Sequence, residues 1–217
     1  MRPYLLVLRF TVFNVAAFAL LVVIWLEGWI ELVVESDITR ITSGIAVVFA
    51  IGWLMSAHRV FRCSRELNAA ADPASAVSSR AMWYLEITGK TRPEARGTIA
   101  DCLRSRLYAR IAVVRTIANT LVTLGLIGTV IGFIIALSGV DANAVSDVGS
   151  IGPMVSTLIE GMAVALYTTL VGSIFHVWLL VNYQLLATGT VNLVNAIIER
   201  AEAPDHFIEA VATTGHV

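Results

Sequence analysis

The chain has 217 residues, 57% of them hydrophobic and only 14% charged, with a mean hydropathy of +0.79. A soluble domain carries about 25% charged residues, so this composition excludes a water-soluble globular protein and describes an integral membrane protein. The formal net charge of −1 gives no reason to expect a nucleic-acid partner; the placement of the charges along the chain says more than their sum.

The N-terminus, MRPYLLVLRF, has the look of a secretory signal, but the apolar run continues past Arg9 with no small-residue cleavage site. It is read as a retained helix whose first membrane span covers residues 10–26. Trp25 and Trp29 suit the interfacial belt. Glu27, Glu31 and Glu35 follow at intervals of four, so they line one face of a continuing helix. That stripe is either a solvated face or an ion-attracting mouth. After a turn at residues 36–40 comes a second span at 41–57, with its helix expected to start earlier, at Asp37 or Ile38. Thr42, Gly44 and Gly52 allow close packing there.

Residues 58–115 form a long polar segment with eleven of the fifteen Lys and Arg residues. By the positive-inside rule this loop is cytoplasmic, and an even number of spans then places both termini on the same side. Residues 141–152 contain no basic residue, which agrees. The arginines signal topology, and contact with anionic lipid or with a soluble partner is an alternative use for them. Cys63 and Cys102 lie in this loop, where thiols stay reduced, and no metal-ligand spacing is present. The loop divides at ADPAS (71–75) and at GKTRP (89–93). GKT lacks the upstream glycine of a phosphate-binding loop. Residues 59–71 extend the second span's helix, and residues 94–115 run as helix into the third span.

The third span, about 116–139, and the fourth, about 153–181, each carry a seam of small residues. At about 100° per residue, Gly125, Gly128, Gly132, Ala136 and Gly139 share one face of the third, with Thr129 at its edge. Gly161, Ala165, Thr168, Thr169, Gly172 and His176 share one face of the fourth. Such seams let helix backbones approach closely where lipid is as apolar as leucine; Gly132 and Gly172 are expected to serve assembly. Pro153 fits a helix start. An amphipathic helix leaves the membrane after Tyr183, and Pro204 is expected to stop it.

LGLIGTVIGFIIAL (124–137), followed by EGMAVALYTTLVG (160–172), resembles the MotA/TolQ/ExbB proton-channel family. The resemblance rests on Gly125, Gly128, Thr129, Val130 and Gly132, then Gly161, Ala163, Ala165, Leu166, Thr169 and Gly172. It implies an all-α membrane protein of four spanning helices with cytoplasmic helical extensions, forming a ring in the bacterial inner membrane. It further implies a homopentamer around a dimer of a single-span MotB-, TolR- or ExbD-like partner, with lipid around it and Thr129 and Thr169 facing the ion path. The family often has Pro where Val122 stands, and the TolQ/ExbB branch has Glu at the position of Val164; the nearest acid here is Glu160.

Depth gives a separate argument. At 1.5 Å per residue, Thr129 lies roughly 20 Å along the third span and Thr169 roughly 24 Å along the fourth. Running antiparallel, both reach the midplane and form one polar layer, unless each hydroxyl simply bonds its own helix's i−4 carbonyl. Glu160 is the acid well inside a span, hence an ion-path candidate or an acid that reaches the outer interface. His176, two turns inward of Thr169, either relays protons or is tied up in packing. Thr168 joins them as an ion-path candidate. No catalytic constellation, cofactor motif or metal cluster appears, so no enzyme is expected. The spans contain no aspartate, so a titrating carboxylate other than Glu160 has to come from another chain. The chain thus divides into a peripheral hairpin (1–57), a basic cytoplasmic loop (58–115), a channel core (116–183) and a cytoplasmic helix and tail (184–217). A small-solute transporter and a passive membrane scaffold are the alternatives.

Overall fold

The computed structural model describes residues 5–36, 39–71, 96–140 and 148–214; the two divisions expected within the polar loop, at 71–75 and 89–93, fall largely or wholly outside them. Five helices account for nearly all of the described chain: α1 (Leu5–Leu26), α2 (Trp29–Ser36), α3 (Ile41–Ala71), α4 (Arg96–Ser138) and α5 (Val148–Thr214). No strand occurs among the described residues. All of these helices except α2 are long and apolar enough to cross a membrane. The 43 residues of α4 and the 67 of α5 correspond to about 65 and 100 Å of helix, against a hydrocarbon core of about 30 Å.

The expected continuity of residues 59–71 with the second span, and of the polar residues before 116 with the third, is what α3 and α4 display. Four boundaries differ. The helix breaks at Glu27–Gly28, where Gly28 takes a φ of 79°, and the Glu27 and Gly28 amides close back on Val23 and Trp25. This left-handed glycine ends α1, so Glu27 does not share a helix with Glu31 and Glu35. Arg40, also left-handed at φ 56°, precedes α3, which starts at Ile41 rather than earlier. α5 starts at Val148, so Pro153 lies in its second turn and not at its first position. The same helix passes through Pro204 to Thr214; a proline removes one backbone bond from a helix, and the surrounding Glu and Ala residues are good helix formers.

The chain forms two compact units. In residues 12–55 and 114–182 the core is Ile45, Phe49, Ala118, Leu121, Trp178 and Leu179. Phe49 stacks on Phe175 at 4.2 Å, and Phe18 meets the edge of Trp178 at 4.9 Å between ring centroids. Asn14 lies buried in the same unit. Its Oδ1 accepts from Trp53 Nε1 at 2.8 Å and from Trp178 Nε1 at 2.9 Å, and its Nδ2 donates to Asn182 Oδ1 at 2.8 Å. In residues 1–11, 56–113 and 183–217 the buried side chains include Val60, Cys63, Leu107, Leu186, Leu193 and Ile197. Leu6 of α1 fills the space over Gly189 of α5.

Candidate functional site

The two small-residue seams face each other within one chain. α4 and α5 run antiparallel, and a ladder of small residues separates their backbones. A Cβ on Gly132 would stand 2.5 Å from the Ala165 amide and 2.6 Å from the Gly161 carbonyl; one on Gly172 would stand 2.8 Å from the Leu121 carbonyl. A Cβ on Gly161 would collide with the backbone of Ala136, one on Gly128 with the Thr168 side chain, and one on Gly125 would press on Thr169 Cα at 3.3 Å. The seam expected to serve assembly between subunits therefore packs inside the subunit. The reason is the spacing itself: two complementary small faces on adjacent antiparallel spans are each other's nearest partners.

The sequence-predicted polar residues sit along this ladder. Thr129 donates to Leu126 O at 2.6 Å and lies 3.5 Å from Gly125 O. Thr169 reaches the same Gly125 carbonyl across the helix pair at 3.2 Å, and its own Ala165 O at 3.2 Å. The two hydroxyls thus stand at one level, around one carbonyl, and Thr169 keeps exposed surface. Their own-helix bonds are the back-bonding usual for membrane threonines; the crossing bond from Thr169 is additional. Thr168 is fully buried against Gly128 and donates to Val164 O at 2.8 Å. His176 Nδ1 lies 2.8 Å from Ala118 O. A carbonyl only accepts, so Nδ1 carries the proton and ties α5 to α4. Glu160 is exposed and accepts from Ser156 Oγ at 3.2 Å. Val164, at the position where one branch of the family has Glu, is 1% exposed.

Two polar groupings escaped the sequence reading. The Asn14, Trp53, Trp178 and Asn182 network joins residues up to 168 positions apart, and no local spacing announces it. On α4, Thr116, Asn119, Thr120 and Thr123 are all exposed, and at 100° per residue they occupy the side nearly opposite the seam. Thr120 and Thr123 bond back to Thr116 O and Asn119 O, which lowers the cost of a hydroxyl facing an apolar surround. Their spacing in an apolar helix was a readable signal. No cluster of metal-binding side chains occurs among the described residues.

The described α4 and α5 segments likewise carry no acid at the level of the Thr129–Thr169 layer. What the site offers chemically is a pair of hydroxyls on a closely packed helix pair, suited to hydrogen-bonding water or a carboxyl and unable to titrate near neutral pH. Comparison with individual curated proteins and with solved structures found no match. The model of the MotA/TolQ/ExbB proton channel family matches residues 80–199, a stretch that takes in the whole seam and exceeds half the chain. With four apolar helices of spanning length and that match, this chain is a multi-pass membrane protein that belongs to the MotA/TolQ/ExbB proton channel family.

Proposed function

We propose that the chain is the proton- or sodium-conducting stator subunit of an inner-membrane energy-transducing motor. In this reading it forms a homopentameric ring around a dimer of a single-span partner, and the partner contributes the titrating Asp. The observation that carries the reading is the convergence of Thr129 and Thr169 on the Gly125 carbonyl in a segment without a carboxylate of its own at that level. Hydroxyls there lower the cost of a partner's charge at mid-bilayer, about 2.5–3.5 kcal/mol on insertion scales. Thr168 and His176 take part by position: bonded within the helix pair, they hold the layer level. Glu160 is exposed about two and a half turns from Thr169 toward the outer end of α5 and on the opposite side of that helix, so it serves as an auxiliary acid by facing a neighbouring helix or subunit. A load other than flagellar rotation is favoured by the short polar loop.

The test is proton uptake by liposomes carrying the complex purified with and without its partner. Flux is expected only with the partner, and Glu160→Gln is expected to reduce it while leaving the assembly intact. Full flux from the ring alone would contradict the reading. Both termini and the polar loop are assigned to the cytoplasm. Cys63 is buried and unsuited to labelling, whereas Cys102 is exposed. An impermeant thiol reagent is expected to reach Cys102 only after the membrane is opened; labelling in intact cells would reverse the orientation.

A further inference from the structure

In the unit formed by residues 1–11, 56–113 and 183–217, a cavity of about 200 Å³ opens between α3, α4 and α5. His58, Arg59 and Arg62 of α3 and Arg110 of α4 line it. No acidic side chain is among its described lining. Arg59 Nη1 is closed off from solvent and has no hydrogen-bond acceptor. The charges of Arg59 and Arg110 oppose each other, and a buried cationic donor without an acceptor is costly. An anion entering the cavity relieves both.

The chemistry of the lining narrows the anion. Arginine forks match the oxygens of a phosphate in bidentate fashion. The remaining wall is mostly apolar, with Leu107 and Leu186 among its members, which a small inorganic anion does not use. Position narrows it further. The apolar stretch of α3 from residue 41 to 57 spans about 26 Å of helix, close to the thickness of the hydrocarbon core. His58, Arg59 and Arg62 follow directly, at the height of lipid headgroups. We infer that this cavity is a binding site for a phosphate group, that of an anionic phospholipid, with the headgroup held by Arg59, Arg62 and Arg110 and an apolar portion against the leucines. The same phosphate chemistry on a free soluble compound is the other source, and the experiment separates the two.

The complex, purified with its partner, is placed in nanodiscs of phosphatidylcholine alone or with phosphatidylglycerol. Thermal melting and the lipid retained in native mass spectra are read for the wild type, for Arg59→Gln/Arg110→Gln, and for Arg104→Gln, an exposed arginine paired with Asp101. Phosphatidylglycerol is expected to raise the melting temperature of the wild type and of Arg104→Gln. The double variant is expected to retain it about tenfold less well. Stabilisation of the wild type by inorganic phosphate in phosphatidylcholine, absent in the double variant, would keep the phosphate site and assign it to a soluble source. A wild type that responds to neither addition, or a double variant that retains phosphatidylglycerol equally well, overturns the proposal. Should the Gln variant not fold, Arg59→Lys/Arg110→Lys, which keeps the charge but not the fork, takes its place with intermediate retention expected and unchanged retention contradicting.

Discussion

Two contacts join helices within residues 12–55 and 114–182, and they use opposite means. Along α4 and α5 the contact is made by removing side chains, backbone to backbone at Gly125, Gly132, Gly161 and Gly172 and backbone to the Thr168 side chain at Gly128. Around Asn14 it is side chain to side chain: one amide takes two indole donors and bonds a second amide, so that α1, α3 and α5 are tied through polar atoms. The first relies on van der Waals contact over a long seam, the main resource where no hydrophobic force separates helix from lipid. The second relies on a few hydrogen bonds that are buried or partly buried. The seam tolerates no added volume, and the node tolerates no lost acceptor.

The largest effect of a single substitution is expected at the seam. Gly132→Leu places a branched side chain where backbone atoms already stand within 3 Å of a Cβ. The expected loss lies at or beyond the upper end of the usual 1–3 kcal/mol for overpacking, read as loss of folded protein in detergent. A normally melting Gly132→Leu would show that α4 and α5 are not packed along this face. At the node, Asn14→Leu leaves the Trp53 and Trp178 indoles without their acceptor. The expected cost is about 1–3 kcal/mol, seen as a lower melting temperature and altered tryptophan fluorescence; unchanged emission would mean the indoles have other partners. Thr169→Val removes one crossing hydrogen bond and keeps the shape, so stability is expected to fall by only about 0.6 kcal/mol, the average for such bonds in membranes. A loss as large as that of Asn14→Leu would make Thr169 a structural residue first. The smallest effect is expected at Gly44, a helical glycine with nothing within 4 Å of an added Cβ. Gly44→Ala is expected to be neutral or to gain up to about 1 kcal/mol from helix propensity, in contrast to any substitution at Gly132.

The same contrast explains what could be read from the residues alone. A seam repeats at helical spacing on one segment, so Gly125, Gly128 and Gly132 declared a close contact before any partner was known. That these glycines meet the Gly161–Gly172 face of the same chain is a tertiary fact that neither segment shows alone. The Asn14 node could not be read, since each member is an isolated polar residue in its own helix. Boundaries failed where one residue's backbone decided them: Gly28 ends a helix that the Glu27, Glu31, Glu35 spacing carries on, and Pro204 is crossed by a helix it was expected to end. Thr129 and Thr169 were placed at one depth by counting residues. Counting places them level with each other because both spans are unbroken helix, and it cannot reveal that Thr169 crosses to the Gly125 carbonyl beside Thr129.

In the proposed function the Thr129–Thr169 layer faces a partner helix whose Asp titrates there. The most direct measurement is a cryo-EM map of the ring purified with its partner, read for the height of that helix. A partner Asp carboxyl is expected level with the Gly125 carbonyl, within hydrogen-bonding reach of Thr169 directly or through one water. A central space filled only with lipid, or a partner whose carboxylate lies turns away from Thr129 and Thr169, would contradict it.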